Sequence, residues 1–348
     1  MESLLKIKIT PKLKLILCLL AVFAAAFLHG PAAAAEYPER RINLILGWGA
    51  GGVTDISARA FAPLLSKHLG AQVLVQNKPG GAGAIGTTFV AQQPADGYTL
   101  LFSAETPASF RVLGTNDLSF HDFTPITMIS GSEKVIVVAA DSPYQTMQDL
   151  VDAIRANPGK IKFSYTGPGA SGHIQALLMR DKGGLSFSMT PFGSGKDCLL
   201  AVLGGQVDFT SPNVGTVIDY ISAGKLRVLA NFDRKNSAFL PDAPPITESV
   251  PELAPYLPLD YPNCLLVKKG TPPETVRKIS QAAAAALQDP AWKKFVDENW
   301  YVSFGHIKGR EVIDFWDRWA SIVCWILYDS GVARNSPAEF GIERLAGD

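Results

Sequence analysis

Three glycine-rich loops constrain this chain more than any other feature: residues 47–52, 77–86 and 166–173. Each follows a short apolar, strand-like run and precedes a stretch with helical spacing. Strand, glycine turn and helix in that order is the unit of α/β architecture, because neighbouring parallel strands need a crossover between them. The turn also carries chemistry. The first N–H groups of a helix lack internal partners, the helix dipole is positive there, and glycine lets a ligand approach the bare backbone. The first loop, Gly47-Trp-Gly-Ala-Gly-Gly52, therefore reads as half of an anion site. Gly47, Gly49 and Gly52 also fit the G-x-G-x-x-G spacing of a dinucleotide turn. The anion is then either a dinucleotide phosphate or a small carboxylate.

The chain has 348 residues, and residues 1–35 read as a secretory signal peptide. Lys6, Lys8, Lys12 and Lys14 give a basic start, residues 15–28 are almost wholly apolar, and residues 32–35 are all alanine, with cleavage expected after Ala35. A membrane anchor is the alternative, but the apolar run is nearer the ~7–15 residues of a signal core than the ~20 of a spanning helix. Cleavage leaves 313 of the 348 residues, comfortable for two domains. It also removes four lysines and one glutamate, leaving 28 basic against 31 acidic side chains, a formal charge of −3. That balance disfavours nucleic acid as a partner. The expected compartment lies outside the cytoplasm, the periplasm in a Gram-negative source. Cys198, Cys264 and Cys324 are too few for a disulfide framework. Buried free thiols are expected, with a Cys264–Cys324 bridge as the alternative. His68, His121, His173 and His306 show no metal-ligand spacing, so no metal or cofactor is expected.

The order of elements points to two α/β lobes. Strands are expected at 42–46, 72–76, 98–103, 123–129 and 134–140, with helices at 54–69 and 85–92 between the first three. A second set follows: strands at 161–165, 185–191, 207–210 and 226–231, with helices at 146–157, 173–181, 197–203 and 214–223. Six prolines within 241–258 mark a crossover loop. A strand at 263–268 and helices at 272–287, 291–299 and 309–328 then return to the first lobe. The last helix is apolar nearly all round, so burial against that lobe is expected. The expected lobes are 36–140 with 263–348, and 141–262, joined near Ala140 and Asn263. Ligands of open α/β sheets bind at the carboxyl ends of strands, which places a ligand cleft between the lobes.

Several motifs resemble the Bug family, the extracytoplasmic solute receptors of tripartite tricarboxylate transporters. They are Gly51-Gly-Val-Thr-Asp55 with Ala58-Arg59, Asn77-Lys-Pro-Gly-Gly-Ala-Gly with Ile85-Gly86, and Pro94-Ala-Asp-Gly-Tyr-Thr-Leu. Gly204-Gly-Gln-Val-Asp208, Ala223-Gly-Lys-Leu-Arg, Pro241-Asp-Ala-Pro-Pro and Val267-Lys-Lys-Gly-Thr-Pro-Pro continue the resemblance in the same order. It implies an α/β, two-lobed periplasmic binding protein of type II, monomeric and without catalytic residues. It implies capture of a small organic acid (a di- or tricarboxylate, an aromatic acid or an acidic amino acid) and delivery to membrane permease subunits. Carried over residue by residue, the first-lobe ligand positions are Trp48, Gly49, Gly51, Gly52, Asp55, Ser103, Glu105 and Thr106. Those of the second lobe are Thr166, Gly167, Gly169, Ala170, Ser171, His173 and Phe192.

The residues themselves weigh these positions. A dinucleotide site wants an acid at the end of the second strand; Gln76-Asn77-Lys78 has none. Asp55, four residues before Arg59 and in the first helical turn, is either a ligand contact or a structural partner of Arg59 and the dipole. His173 either donates to a ligand oxygen or closes its own loop, and Ser171 is a candidate N-cap. Trp48, standing where the family often has proline, is the candidate aromatic wall. Glu105 stands where a small neutral residue is expected. Facing the cleft, it repels a second carboxylate and suits an amine; facing solvent, it has no effect on ligand choice. The candidate loops hold no arginine, so recognition through backbone groups is expected rather than a guanidinium clamp. Lys78 and Lys196 are the nearest cations. Ligand sensing for a membrane signalling partner is the alternative function. A hydrolase is remote, because Ser171 and His173 lie two residues apart with no third member.

Overall fold

Two five-stranded sheets carry the fold. The computed structural model describes residues 37–237 and 239–345, and the chain from Arg40 onward forms one unit. The expected signal peptide lies outside the described residues. In chain order the strands are β1 (Ile42–Leu46), β2 (Val73–Asn77), β3 (Thr99–Ser103), β4 (Phe123–Met128), β5 (Ser130–Gly131) and β6 (Val135–Ala139). They continue as β7 (Lys162–Tyr165), β8 (Ser188–Pro191), β9 (Phe209–Thr210), β10 (Leu226–Asn231), β11 (Cys264–Lys268) and β12 (Val302–Ser303). The first sheet has the order β2-β1-β3-β11-β4 and the second β10-β6-β9-β7-β8; β5 pairs with β12.

Each sheet is mostly parallel with one reversed strand. β1 runs parallel to β2 and β3, and β7 to β8 and β9. β11 runs against β3 and β4, and β6 against β9 and β10. The reversed strands are the two that arrive from the other lobe. Cys264, at the start of β11, pairs with Ser103 and Met128, the last residues of β3 and β4. Val135, at the start of β6, pairs with Asn231, the last residue of β10. Both crossovers therefore lie at the edge where the parallel strands end.

The run Val135–Ala139, expected with the first lobe, is paired in the second sheet. The chain changes sheet before β6 rather than near Ala140. A strand buried on both faces reads as one apolar run whichever sheet receives it, so periodicity does not separate the two placements. Smaller differences concern lengths. The strand expected at 185–191 shortens to Ser188–Pro191, and the helix expected at 214–223 divides into a 3₁₀ turn, Val214–Thr216, and Ile218–Ser222.

The helix Arg310–Asp329 buries one broad face, with Ile313, Trp316, Trp319, Ile322 and Val323 inside, while Glu311, Asp314 and Arg318 are exposed, so it is not apolar nearly all round as expected. One side meets β4 and the turn Thr106–Ala108 of the first lobe, and it also packs on Ser171–Leu177 of the second. Burial mainly against the first lobe is as expected; the contact with Ser171–Leu177 of the second lobe is additional. One continuous buried cluster results, joining Ile45 and Phe120 to Ile174 and Phe163. Phe120 stacks on Trp316 with ring centres 4.7 Å apart, and Tyr261 meets Trp319 edge-on. Trp316→Ala is expected to destabilise the protein by about 3–5 kcal/mol, read as a lower urea midpoint at unchanged slope.

Candidate functional site

Because β2, β1 and β3 are neighbours with a common direction, their following loops meet at one edge. The first two loops pack backbone on backbone: a Cβ on Gly47 would stand 2.6 Å from the Cα of Gly83. Across the same point, the Trp48 ring lies 3.8 Å and the Thr106 hydroxyl oxygen 3.2 Å from where a Cβ of Gly83 would be. Trp48, Gly83 and Thr106 therefore converge. Gly83 is absent from the residues expected from sequence, although its loop stands out there. Gly49, Gly51 and Gly52 form an exposed rim, while Ser103, Glu105 and Thr106 are buried beneath it.

Asp55 holds this arrangement together. Its carboxylate accepts from Arg59 Nε at 3.0 Å, from the Gly51 N–H at 2.9 Å and from Asn77 Nδ2 at 2.8 Å. Asn77 Nδ2 also donates to the Trp48 carbonyl at 2.9 Å, and Arg59 donates to Asn77 Oδ1 at 2.8 Å. Burial alone would raise the Asp55 pKa, but these hydrogen bonds outweigh it and hold the carboxyl below its ordinary range. Of its two readings, the network supports the structural one: Asp55 ties the glycine rim to the helix and to the end of β2.

The helices after the first and third loops start without side-chain caps. Val53–Leu69 has Gly52 at its N-cap, and Ser171–Leu177 has Ala170. Ser171, expected as a cap, is the first helical residue instead. Elsewhere the starts are mixed: Thr146 and Asp149 form a capping box on Met147–Ala156 and Ser194 caps Gly195–Leu203, whereas Pro273–Gln288 and Arg310–Asp329 also begin without a side-chain cap. At the candidate loops the open N–H groups coincide with glycine turns at strand ends.

In the second lobe, the His173 ring is buried and stacks on Tyr165 with centres 4.6 Å apart. Its Nδ1 accepts from the Gly169 N–H at 3.1 Å. That bond puts the proton of the neutral ring on Nε2. Burial, helped by the charge of Arg180, lowers the His173 pKa to about 4. His173 thus closes its own loop and keeps one donor, Nε2–H. Gly169 adopts φ +76°, and a Cβ there would lie 2.7 Å from Leu113 Cδ1 of the first lobe. The two lobes touch at the third loop. Thr166 is exposed; Gly167, Ala170, Ser171 and Phe192 are half-buried, and the Phe192 N–H donates to the Tyr165 carbonyl at 2.8 Å.

Glu105 does not face solvent: it is 7% exposed. Burial raises its pKa, and the charge of Lys134 opposes the rise. Neither Lys134 nor Tyr261 beside it is expected from sequence. A lysine at the head of an apolar strand normally reaches water and gives no signal, whereas Tyr261, with Tyr256 and Asp260, stands out as a departure from the family's pattern that bears on which ligand fits. Cys198, Cys264 and Cys324 are free and buried. Among the described residues no group of His, Cys, Asp or Glu is arranged to hold a metal ion, and no helix is long and apolar enough to cross a membrane.

His173 yields a pH prediction. With a folded pKa of about 4, against an ordinary value of 6.5, the unfolded chain binds more protons between those values. Stability is then fully present above the ordinary value and falls as pH drops towards 4. His173→Asn, whose side-chain oxygen replaces Nδ1 as the acceptor for Gly169, is expected to show a smaller loss between about pH 7 and about pH 4.5 in urea melts.

Residues 57–305 match the tripartite tricarboxylate transporter family receptor, TctC. A Cupriavidus necator protein described as the UPF0065 protein in gbd 5'region is 32% identical over 290 residues, covering 81% of this chain and 86% of its own. Among solved structures, the periplasmic binding protein BugD superposes with a TM-score of 0.74 at 25% identity, covering 85% of this chain and 99% of BugD. R. palustris Rpa4515 with adipate has the same fold, with a TM-score of 0.72 at 24% identity over 89% of this chain and all of its own. The chain belongs to the TctC, or Bug, family of two-lobed solute-binding receptors, which are not enzymes.

Proposed function

We propose that this protein captures a small organic acid in the periplasm, between its two lobes, and delivers it to the membrane subunits of a tripartite transporter. The observation that carries this reading is the uncapped helix start at each candidate loop, Gly52 in one lobe and Ala170 in the other. Open N–H groups and the positive end of a helix dipole favour a carboxylate. Among the described residues Asp55 takes the Gly51 N–H just before that helix, and Gly49, Gly51 and Gly52 are exposed. The candidate loops hold no arginine, which suits recognition by backbone. His173 Nε2–H adds a neutral donor, and Trp48 and Phe192 add apolar walls. Rpa4515, a relative in fold, binds adipate, which supports a carboxylate as the ligand class.

Closure would turn on the two crossovers, 129–134 and 232–263, with the lobes following the two sheets and the Arg310–Asp329 helix riding on both. The signal-peptide reading of residues 1–35 and the family's extracytoplasmic role support the periplasm as the compartment.

The test is a thermal-shift panel on the purified mature chain with mono-, di- and tricarboxylates, aromatic acids and amino acids. A cognate acid at 100 times its Kd stabilises by about 2.7 kcal/mol. At about 2–4 °C per kcal/mol for a chain of this size, the melting temperature is expected to rise by several degrees. No rise with any organic acid overturns the proposal.

A further inference from the structure

The short link between the helix Pro290–Glu298 and β12 carries a residue that the backbone there does not favour. Asn299 ends the helix, and the Tyr301 N–H reaches back to the Val296 carbonyl at 2.9 Å. That bond marks a left-handed helix end, whose turning residue is usually glycine. Here the turning residue is Trp300, at φ +53°. In the left-handed region a Cβ crowds the following carbonyl, and a bulky residue stays there only where its surroundings over-determine it.

Those surroundings belong to the other lobe. The backbone on either side of Trp300 is anchored in the first: Trp292 meets Phe61 edge-on, and the Tyr301 hydroxyl donates to the Val53 carbonyl at 3.0 Å. The Trp300 side chain instead packs on a buried second-lobe cluster that includes Val135, Val202 and Val214. Its ring also stacks on Phe239 of the long crossover, with centres 5.9 Å apart and planes 8° from parallel. Phe239 is held in turn. Its N–H donates to Ser237 Oγ at 3.1 Å, and the Ser237 hydroxyl donates to the Glu133 carboxylate of the short crossover. Beside the stack the lobes also approach through backbone: a Cβ on Gly215 of the second lobe would stand 3.0 Å from the Asn299 carbonyl oxygen.

The turn 299–301 therefore reaches three moving parts. Val53 begins the helix that follows the first glycine loop. β12 pairs with β5 in the short crossover. Trp300 lies on the second lobe. Rotation about the crossovers slides its ring over Phe239 and the cluster beneath, so the contact resists a change of lobe angle.

On the hinge-closure reading above, we propose that Trp300 is a clasp between the lobes. Its seat on Phe239 and the second-lobe cluster fixes the lobe angle at which Gly169 of the third loop meets Leu113 of the first lobe. Trp300 belongs to none of the candidate loops; it is a positioning residue that acts through the lobe angle. The backbone strain offsets part of the stacking, which leaves a clasp that a bound ligand can shift.

The experiment is urea unfolding and small-angle X-ray scattering of the purified mature chain without ligand. The proteins are wild type, Trp300→Gly, Trp300→Phe, Phe239→Ala and the double variant of Trp300→Gly with Phe239→Ala. Glycine relaxes a left-handed helix end, so a tryptophan that merely ends its helix predicts a higher urea midpoint in Trp300→Gly. The clasp predicts a lower midpoint and, at unchanged circular dichroism, a larger radius of gyration in both Trp300→Gly and Phe239→Ala. Trp300→Phe falls between wild type and Trp300→Gly. In the double variant, the loss in the folding equilibrium constant falls short of the product of the single losses by about two- to tenfold, as for an aromatic pair. A higher midpoint in Trp300→Gly, independent effects of the two substitutions, or scattering equal to wild type each overturns the proposal. If Trp300→Gly does not fold, Phe239→Ala decides: wild-type scattering overturns the proposal. Neither measurement uses a ligand, so failure here leaves the carboxylate reading to its own thermal-shift test.

Discussion

The direction of two strands governs where everything else in this molecule lies. β6 and β11 each enter a sheet from the other lobe, and each enters against its neighbours. An antiparallel strand starts where its partner ends. The crossovers are thereby brought to the edge where β1, β2, β3, β7 and β8 deliver their loops. Had either arriving strand run parallel, its crossover would have joined the opposite edge, and the hinge would be remote from the glycine loops. Hinge, loops and helix starts share one edge because of the hydrogen-bond pattern, before any side chain is considered.

The loops then need to be held open without being filled. Glycine allows the close approach of residues 47 and 83, but glycine loops have much conformational freedom to lose. The Asp55–Arg59–Asn77 network supplies the restraint, since its bonds reach the Gly51 N–H and the Trp48 carbonyl from a helix and a strand. His173 does the same in the other lobe through Gly169. Both residues keep the charge state that suits this role: donors hold Asp55 ionised, and burial holds His173 neutral. Each loop is restrained by a side chain on the helix that follows it, so loop and helix start form one rigid piece.

Much of this is legible in the sequence. Glycine placed after a β-prone run and before a helical period marks the loop, and the three loops so marked stand where the strands end. The second-lobe strand Leu226–Asn231 has the bounds expected of it. The losses have physical causes. Val135–Ala139 is buried on both faces, so its pattern does not say which sheet it joins. The apolar residues of Arg310–Asp329 are dense enough to hide its exposed face of Glu311, Asp314 and Arg318, and they signal burial but not the number of partners. Ser171 has the chemistry of a cap, yet the backbone turns helical one residue early and leaves Ala170 in the cap position. Lys134 and Tyr261 belong to connections rather than to elements, and only the meeting of two crossovers brings them together.

Glu105 shows most clearly why position outranks residue type. Asp55 and Glu105 are both acids within the first-lobe loop cluster, and both are nearly inaccessible to solvent. Asp55 is surrounded by donors, so its charge is consumed in holding the loop. Glu105 has its own backbone N–H and the charge of Lys134 to oppose the cost of burial, and its pKa is raised rather than lowered. Two carboxylates in such different surroundings do different work. An acid whose donors are all local serves the fold. An acid whose main electrostatic partner stands on the other lobe is sensitive to whatever enters between them.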